Sequence, residues 1–149
     1  NLLKPSSNQF VTADLEYESI ILGWAEKFIL EAVPDQKDEL ENSLKRTKQQ
    51  IKEEKIFLLL NQDKPVSMAR MAGETVNGRL VNLVYTPPHL RNKGFASEVV
   101  ARLSQYILDL GYNFCLLFTD LSNPTSNKIY MNIGYKPIID VDMYRFVDE

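Results

Sequence analysis

A short basic segment with two prolines holds the residue types most able to do chemistry. The range Tyr85–Ser97 reads YTPPHLRNKGFAS, with Arg91 and Lys93 just ahead of Gly94 and a helical pattern behind it. The first N–H groups of a helix have no intrahelical partner and lie at the positive end of its dipole, so such helix starts bind phosphates. The Arg-x-x-Gly-x-Ala spacing is neither the Walker phosphate loop nor the dinucleotide pattern G-x-G-x-x-G. It predicts a phosphate-binding turn of another kind.

A second polar segment lies nearer the C-terminus. Thr119–Tyr130 reads TDLSNPTSNKIY, and Asn132–Tyr135 reads NIGY. In this order and at this distance, the two segments resemble the GNAT superfamily of N-acetyltransferases, which use acetyl-CoA. The resemblance is close over Leu80–Phe146 and is closest to bacterial members with a YTPP-x-x-R-x-x-G-[YF]-A loop. Ahead of Ile56 only the order of elements matches.

The resemblance implies how the first segment would hold coenzyme A. Backbone N–H groups of the loop would bind the pyrophosphate, Gly94 would allow close approach, and Ala96 would keep the helix start small. The strand before the loop would pair with pantetheine through its backbone, and one of its N–H groups would polarise the thioester carbonyl. The residues implied as contacts of acetyl-CoA are Leu83, Val84, Tyr85, Thr86, Arg91, Asn92, Lys93, Gly94, Phe95, Ala96 and Ser97. From the residues alone, a solvent-exposed basic turn at a helix start is the alternative.

The second segment contributes side chains by the same resemblance. Tyr130 would donate a proton to the departing CoA thiolate, and an amphipathic core tyrosine is the alternative. Asn123 stands directly before Pro124, which suits the first position of a helix, so its amide serves as an N-cap, as a cofactor contact, or as both. Ser126 and Asn127 are further candidates for contact with coenzyme A.

The general base is the least defined part of the predicted site. An amine attacks a thioester in its neutral form, so a group must accept a proton, often through water. Glu74, near the hairpin end of a predicted strand, is the leading candidate, with Asp120 and Glu31 behind it. A solvated surface carboxylate is the alternative for each, and some members of the superfamily use no dedicated base.

The remaining reactive residue types are discounted. Cys115 lies within an apolar strand pattern and is expected to be a small buried side chain. His89 is the only histidine, and no third group completes a catalytic triad with it. No cluster of histidines and cysteines has metal-ligand spacing, so no metal is expected.

The composition is that of one globular domain. The chain has 149 residues, of which 44% are hydrophobic and 25% charged. A net charge of −3 gives no reason to expect nucleic acid, and no stretch approaches the roughly 20 apolar residues of a membrane span. A single cysteine excludes an internal disulfide framework and favours a cytoplasmic location. We expect a single GNAT domain over 1–149, with 1–9 a linker or loose arm; the chain is also compatible with the C-terminal part of a longer protein.

Hydrophobic periodicity predicts the elements that must position these residues. An N-cap at Asp14 precedes a helix over 15–30, and a second helix begins at Pro34 and Asp35. Strands are expected at 10–12, 56–60, 65–73, 79–85, 114–119, 135–139 and 143–147, with helices at 95–110 and from Pro124 to before Gly134. The dipeptide Asn77-Gly78 predicts a two-residue hairpin turn.

The order of these elements, β-α-α-β-β-β-α-β-α-β-β, predicts an α/β domain with a mixed, mostly antiparallel central sheet flanked by helices. The crossover through the helix at 95–110 makes the strands at 79–85 and 114–119 parallel neighbours. By the resemblance, these two strands splay apart at their ends, and acetyl-CoA enters the gap between them.

Three functions are compatible with these patterns. The first is an acetyl-CoA-dependent N-acetyltransferase, in which a primary amine of a small molecule or peptide attacks directly in a ternary complex. The second is a GNAT-like module that binds coenzyme A or a peptide without turnover, in a regulatory role, since a fold does not fix function. The third, an interaction domain independent of coenzyme A, is disfavoured by the glycine and both cations of the loop. The sequence leaves open the acceptor and the oligomeric state, monomer or homodimer.

Overall fold

A computed structural model of the chain describes residues 6–32, 39–73, 77–118, 135–137 and 143–146. Within these ranges the helices are α1 (Glu18–Ala32), α2 (Leu40–Lys52) and α3 (Phe95–Asp109). The strands are β1 (Gln9–Thr12), β2 (Ile56–Asn61), β3 (Lys64–Ala72), β4 (Gly78–Tyr85), β5 (Phe114–Phe118), β6 (Tyr135–Pro137) and β7 (Met143–Phe146). None of the described helices is long and apolar enough to cross a bilayer.

The described strands form a single sheet in the order β1-β2-β3-β4-β5-β7-β6. Within it the β4–β5 pair is parallel and the other described pairs are antiparallel. The parallel pair arises because α3 carries the chain across the sheet between the two strands. α1 and α2 pack on one face and α3 on the other. The predicted fold class, a mixed and mostly antiparallel sheet flanked by helices, is confirmed.

The β2 strand separates the two apolar clusters of the domain. Its run Ile56–Leu60 is buried throughout. Phe57 and Leu59 pack with α3, whereas Ile56 and Leu58 pack with α1 and α2. A continuous apolar run is what a strand covered on both faces requires. The site described below therefore rests on a sheet fixed from both sides.

The start of the first helix agrees with the prediction, and that of the second cannot be compared. The Asp14 carboxylate accepts from the Glu16 N–H at 3.0 Å, and a short 3-10 turn over Leu15–Tyr17 leads into α1. The predicted start of the second helix at Pro34 and Asp35 falls in 33–38, outside the described residues.

The segment before β1 differs from the predicted loose arm. Ser6 Oγ and Asn8 Nδ2 donate to the Glu98 carboxylate at 2.7 and 2.8 Å, and Gln9 already belongs to β1. The polar side chains that suggested a linker instead satisfy a largely buried carboxylate on α3. The prediction is thus corrected from Ser6 onward.

The connection between β3 and β4 also differs from the prediction. Ala72 lies opposite Leu80, whereas a two-residue turn at Asn77-Gly78 would pair the residues that directly flank it. Gly78 instead lies within β4, opposite Phe114 of β5. A Cβ at this position would lie 2.6 Å from both Cδ2 and Cζ of the Phe114 ring. Glycine is therefore needed here for close packing rather than for a turn.

The Gly78→Ala variant is expected to lower the free energy of unfolding by about 1–3 kcal/mol, because the added methyl group would overlap the Phe114 ring. The matched control is Gly23→Ala in α1, where no atom lies within 4 Å of the added carbon. Alanine favours a helix over glycine by about 1 kcal/mol, so this variant should be at least as stable as the wild type. Urea unfolding followed by circular dichroism compares the two, and equal stabilities would contradict the close packing at Gly78.

Candidate functional site

The β4 strand carries a bulge on its way to the basic loop. Arg70 of β3 lies opposite Asn82, but Met68 lies opposite Tyr85, so β4 has one residue more than β3 between these pairs. Leu83 has a φ of 51°, a left-handed conformation that is uncommon for leucine. Such conformations persist where the surrounding structure enforces them, and they cluster at functional sites.

The bulge changes which face of the sheet the following side chains occupy. Val81 packs in the cluster beneath α3, whereas Leu83 and Tyr85 pack in the cluster of α1 and α2. Residues two apart share a face in a regular strand, so one extra residue reverses the alternation. The bulge thus falls within the residues that the resemblance assigns to pantetheine pairing and to the oxyanion donor.

The parallel ladder between β4 and β5 ends before β4 does. Its last registered pair is Val81 with Leu117, although β4 continues through Tyr85. Residues 82–85 therefore have no ladder partner on the β5 side within the described part of the chain. An unpaired strand edge offers backbone donors and acceptors to an extended ligand. The expected gap between the two strands stays a prediction, because 119–134 lie outside the described residues.

The corner that follows β4 is fixed by buried hydroxyl groups. Ser67 Oγ of β3 donates to the Tyr85 carbonyl oxygen at 3.1 Å and lies 2.8 Å from Thr86 Oγ1. Both hydroxyl side chains are buried. A single 3-10 turn over Pro88–Leu90 then leads to the basic loop. These contacts hold the loop in a defined position relative to the sheet.

The basic loop presents a free helix start. Residues 91–94 are exposed, and Asn92 and Gly94 have φ values of 65° and 85°. Gly94 is the N-cap of α3 and has no side chain with which to cap the helix, and the Glu98 N–H donates to the Gly94 carbonyl at 3.0 Å. The N–H groups of Phe95–Ser97 therefore lie at the positive end of the helix without a capping side chain. This geometry suits a phosphate group.

The Arg91 guanidinium connects this loop to α1. Its Nε donates to the Thr86 carbonyl oxygen at 2.7 Å, and its Nη2 lies 3.1 Å from Glu31 Oε2. Its Cζ also lies 5.5 Å from the centroid of the Tyr85 ring. Both members of the ion pair are about half exposed, so the pair contributes little to stability. Lys93, the other cation of the loop, is exposed.

Tyr85 ends β4 with a buried side chain. It is 3% exposed, and its ring centroid lies 6.1 Å from that of Trp24. Burial raises the pKa of Tyr85, the Glu31 carboxylate adds to that rise, and Arg91 opposes it. The phenol is therefore neutral at physiological pH.

Several predicted site residues cannot be compared with the structure. Those outside the described residues are Glu74, Asp120, Asn123, Ser126, Asn127 and Tyr130. They remain predictions. Within the described part of the chain, no group of three or more histidine, cysteine, aspartate or glutamate side chains is placed to hold a metal ion.

Cys115 is expected not to react with thiol reagents while the chain is folded. It is fully buried in β5, and burial raises the pKa of its thiol to about 12. Because this value lies above the ordinary 9.0, burial disfavours the thiolate, so the folded state keeps its full stability below pH 9 and loses this contribution as the pH rises from 9 towards 12. Ellman's reagent at about pH 8 should label the chain in urea but not in native buffer. Rapid labelling of the native chain would contradict this burial.

Some features of this site escaped the sequence analysis. The bulge at Leu83 had no local signal, because leucine is not a residue that favours a positive φ. The bond from Ser67 to the end of β4 did have one, since Ser67 is a hydroxyl residue between the apolar residues Val66 and Met68. The contact of Arg91 with Glu31 joins residues far apart in sequence and could not be derived from either segment.

Solved structures share this fold. The PaiA N-acetyltransferase from Thermoplasma acidophilum, in complex with coenzyme A, matches with a TM-score of 0.74 and 12% identity over 96% of this chain and 100% of that one. An N-acetyltransferase from Staphylococcus aureus Mu50 matches with a TM-score of 0.73 and 16% identity over 95% and 99%. The N-acetylglutamate synthase from Neisseria gonorrhoeae, complexed with coenzyme A and N-acetyl-glutamate, matches with a TM-score of 0.72 and 8% identity over 97% and 36%. At these identities the likeness concerns the fold.

The described fold is therefore the one shared by these N-acetyltransferase structures, as the resemblance indicated. The family model of the FR47-like proteins matches residues 60–146, more than half of the chain, and the chain belongs to that family. No curated protein matches the sequence.

Proposed function

We propose that the chain is an N-acetyltransferase that transfers the acetyl group of acetyl-CoA to a primary amine by direct attack in a ternary complex. The observation that carries this proposal is the exposed basic turn with Gly94 as the N-cap of α3, which follows β4 and its bulge at Leu83. Acetyl-CoA needs N–H donors for its phosphates, and by the resemblance its extended arm would pair with the end of β4. Two proteins of the same fold have been crystallised with coenzyme A.

The pyrophosphate would bind at the start of α3. The backbone N–H groups of Phe95–Ser97 would donate to its oxygens, and Asn92 would contribute its backbone in the loop. No atom lies within 4 Å of a Cβ placed on Gly94, so phosphate oxygens have room to approach there. Lys93 would add positive charge from the exposed loop, and Arg91 would add its own from between Thr86 and Glu31.

The arm of coenzyme A would extend along the free edge of β4 and the corner after it. The carbonyl oxygens of Tyr85 and Thr86 accept from Ser67 and Arg91, and these contacts fix the strand end along which the ligand would lie. A backbone N–H of Leu83 or Val84, at the bulge, would stabilise negative charge on the thioester oxygen as the amine attacks. Because the corner is fixed, this donor would be in place before substrate binds.

Two proton transfers complete the proposed reaction. The attacking nitrogen loses a proton to Glu74 or to water, and the departing sulfur gains one from Tyr130. A C–N bond forms and the C–S bond breaks, so the products are an amide and free coenzyme A. Asn123, Ser126 and Asn127 would contact coenzyme A from the second segment.

The proposed function also includes an acceptor class, an oligomeric state and a cellular location. The acceptor would be a small-molecule or peptide amine, and the enzyme, a monomer or homodimer, would act without nucleic acid or a membrane as partner. The single cysteine, Cys115, is free and buried, which supports a cytoplasmic location.

Release of free thiol from acetyl-CoA, measured with a panel of primary amines, tests the proposed activity. We expect release that depends on both the chain and the amine. Binding of acetyl-CoA without thiol release for any amine would contradict the proposed activity. That outcome would instead indicate a non-catalytic CoA-binding or regulatory module.

A further inference from the structure

A partly buried arginine on the α1–α2 face of the sheet has no counter-charge among the described residues. Arg70 of β3 donates Nε to Asn82 Oδ1 and Nη1 to Gln50 Oε1, each at 2.7 Å. Both partners are neutral amides. None of the ion pairs formed by the described residues includes Arg70. A guanidinium has five N–H donors, so most of them remain available.

The surroundings make this uncompensated charge costly. Burial lowers the pKa of Arg70, and the neighbouring Arg46 of α2 acts in the same direction. Both effects disfavour the charged form, yet an arginine in a protein stays charged. A cation withdrawn from water without an anion carries a free-energy cost. Such a position is suited to an anion that arrives with a ligand.

Arg70 also lies beside the end of β4 that the proposed function assigns to acetyl-CoA. Arg70 pairs with Asn82 of β4. Asn82 directly follows Val81, the last residue of β4 that pairs with β5 in the described part of the chain. Neighbouring strands lie about 4.8 Å apart, so the backbone of Arg70 is one strand from the free edge. The bond to Gln50 of α2 places the guanidinium on the face of the sheet that α1 and α2 cover.

On the basis of the proposed function, we propose that Arg70 binds the carboxylate of the acceptor, so that the acceptor is a free amino acid. A guanidinium pairs with a carboxylate through two parallel N–H···O bonds, and Asn82 and Gln50 hold it in one orientation. The bound carboxylate supplies the missing negative charge. It also fixes the amine of the same molecule near the free edge of β4, where the thioester would lie.

Acetylation kinetics with matched acceptors test this role. Each protein amino acid is compared with its α-amide, which keeps the amine and the side chain but lacks the carboxylate. We expect the wild type to prefer an amino acid over its amide. The Arg70→Gln variant should raise the KM for the amino acid by about 10- to 100-fold and leave the KM for the amide unchanged. Arg70→Lys, which keeps the charge, should recover part of the preference.

The matched control is Arg46→Gln. It removes the same charge from the neighbouring, exposed position on α2, and it should leave both KM values unchanged. If Arg70 merely joined α2 to the sheet, Arg70→Gln would lower the midpoint of thermal unfolding and change the KM of amino acid and amide equally. That result would overturn the proposal.

A binding measurement separates this proposal from the proposed activity. Thermal unfolding of the CoA-loaded chain is recorded with N-acetylated amino acids and with their amides. At least one N-acetyl amino acid should raise the unfolding midpoint of the wild type, but not that of Arg70→Gln, and its amide should raise neither. This readout requires no turnover, so it decides the role of Arg70 even if no amine is acetylated. Equal shifts with and without the carboxylate, or no shift with any N-acetyl amino acid, would overturn the proposal.

Discussion

The Tyr130→Phe variant is expected to turn over about 100-fold more slowly than the wild type while binding acetyl-CoA with unchanged affinity. Loss of a general acid typically costs about 10²- to 10⁴-fold in rate. The lower end applies here because a thiol, with an ordinary pKa of about 8.5, is a good leaving group even without protonation. Steady-state thiol release gives kcat, and calorimetric titration gives the dissociation constant of acetyl-CoA.

The matched control for this variant is Tyr106→Phe. Tyr106 lies on α3 roughly 16 Å along the helix axis from Phe95, and its ring packs against Phe10 and Phe57. Phenylalanine keeps those ring contacts, so kcat and affinity should equal those of the wild type. An unchanged kcat in Tyr130→Phe would remove Tyr130 from the proposed mechanism.

The Gly94→Val variant is expected to weaken binding of acetyl-CoA by about tenfold or more. Gly94 has a φ of 85°, a region that costs a residue with a side chain roughly 1–2 kcal/mol, and a β-branched residue is among the least tolerant. The space around its Cβ position is open, so the effect arises from the backbone and from obstruction of an approaching phosphate. Calorimetric titration with acetyl-CoA measures the change.

Gly111 provides a control at the opposite end of the same helix. It has a φ of 107°, and no atom lies within 4 Å of a Cβ placed on it. Gly111→Val should therefore lower the stability to a similar extent while leaving the affinity for acetyl-CoA unchanged. Equal affinities for acetyl-CoA in the two variants would mean that the phosphate loop has been misplaced.

Local signals in the sequence were sufficient to predict the loop and the helix that follows it. Gly94 and Gly111 bracket an apolar stripe of helical period, and both lie at the ends of α3 with positive φ. The fully apolar run Ile56–Leu60 likewise predicted a strand that is buried on both faces. Each of these signals depends on residues close together in the chain.

Features that depend on contacts between distant segments could not be predicted. The dipeptide Asn77-Gly78 has the sequence of a turn, yet Gly78 lies in β4. Its lack of a side chain leaves room there for the Phe114 ring of β5. The polar residues before β1 were assigned to a loose arm because Glu98, their partner on α3, lies about ninety positions away. The strand bulge at Leu83 arises from the pairing of β4 with β3, which no local propensity encodes.

Thermal unfolding of the wild-type chain with and without acetyl-CoA, at matched ionic strength, tests whether the loop at the start of α3 binds the cosubstrate. A ligand present at 100 times its dissociation constant stabilises the folded state by about 2.7 kcal/mol. For a domain of this size, that corresponds to a rise of roughly 5 to 10 °C in the unfolding midpoint. We expect such a rise in the midpoint of the wild type, a smaller rise in Gly94→Val and the full rise in Gly111→Val. An unchanged midpoint at millimolar acetyl-CoA would contradict binding of the cosubstrate at this loop and the proposed function with it.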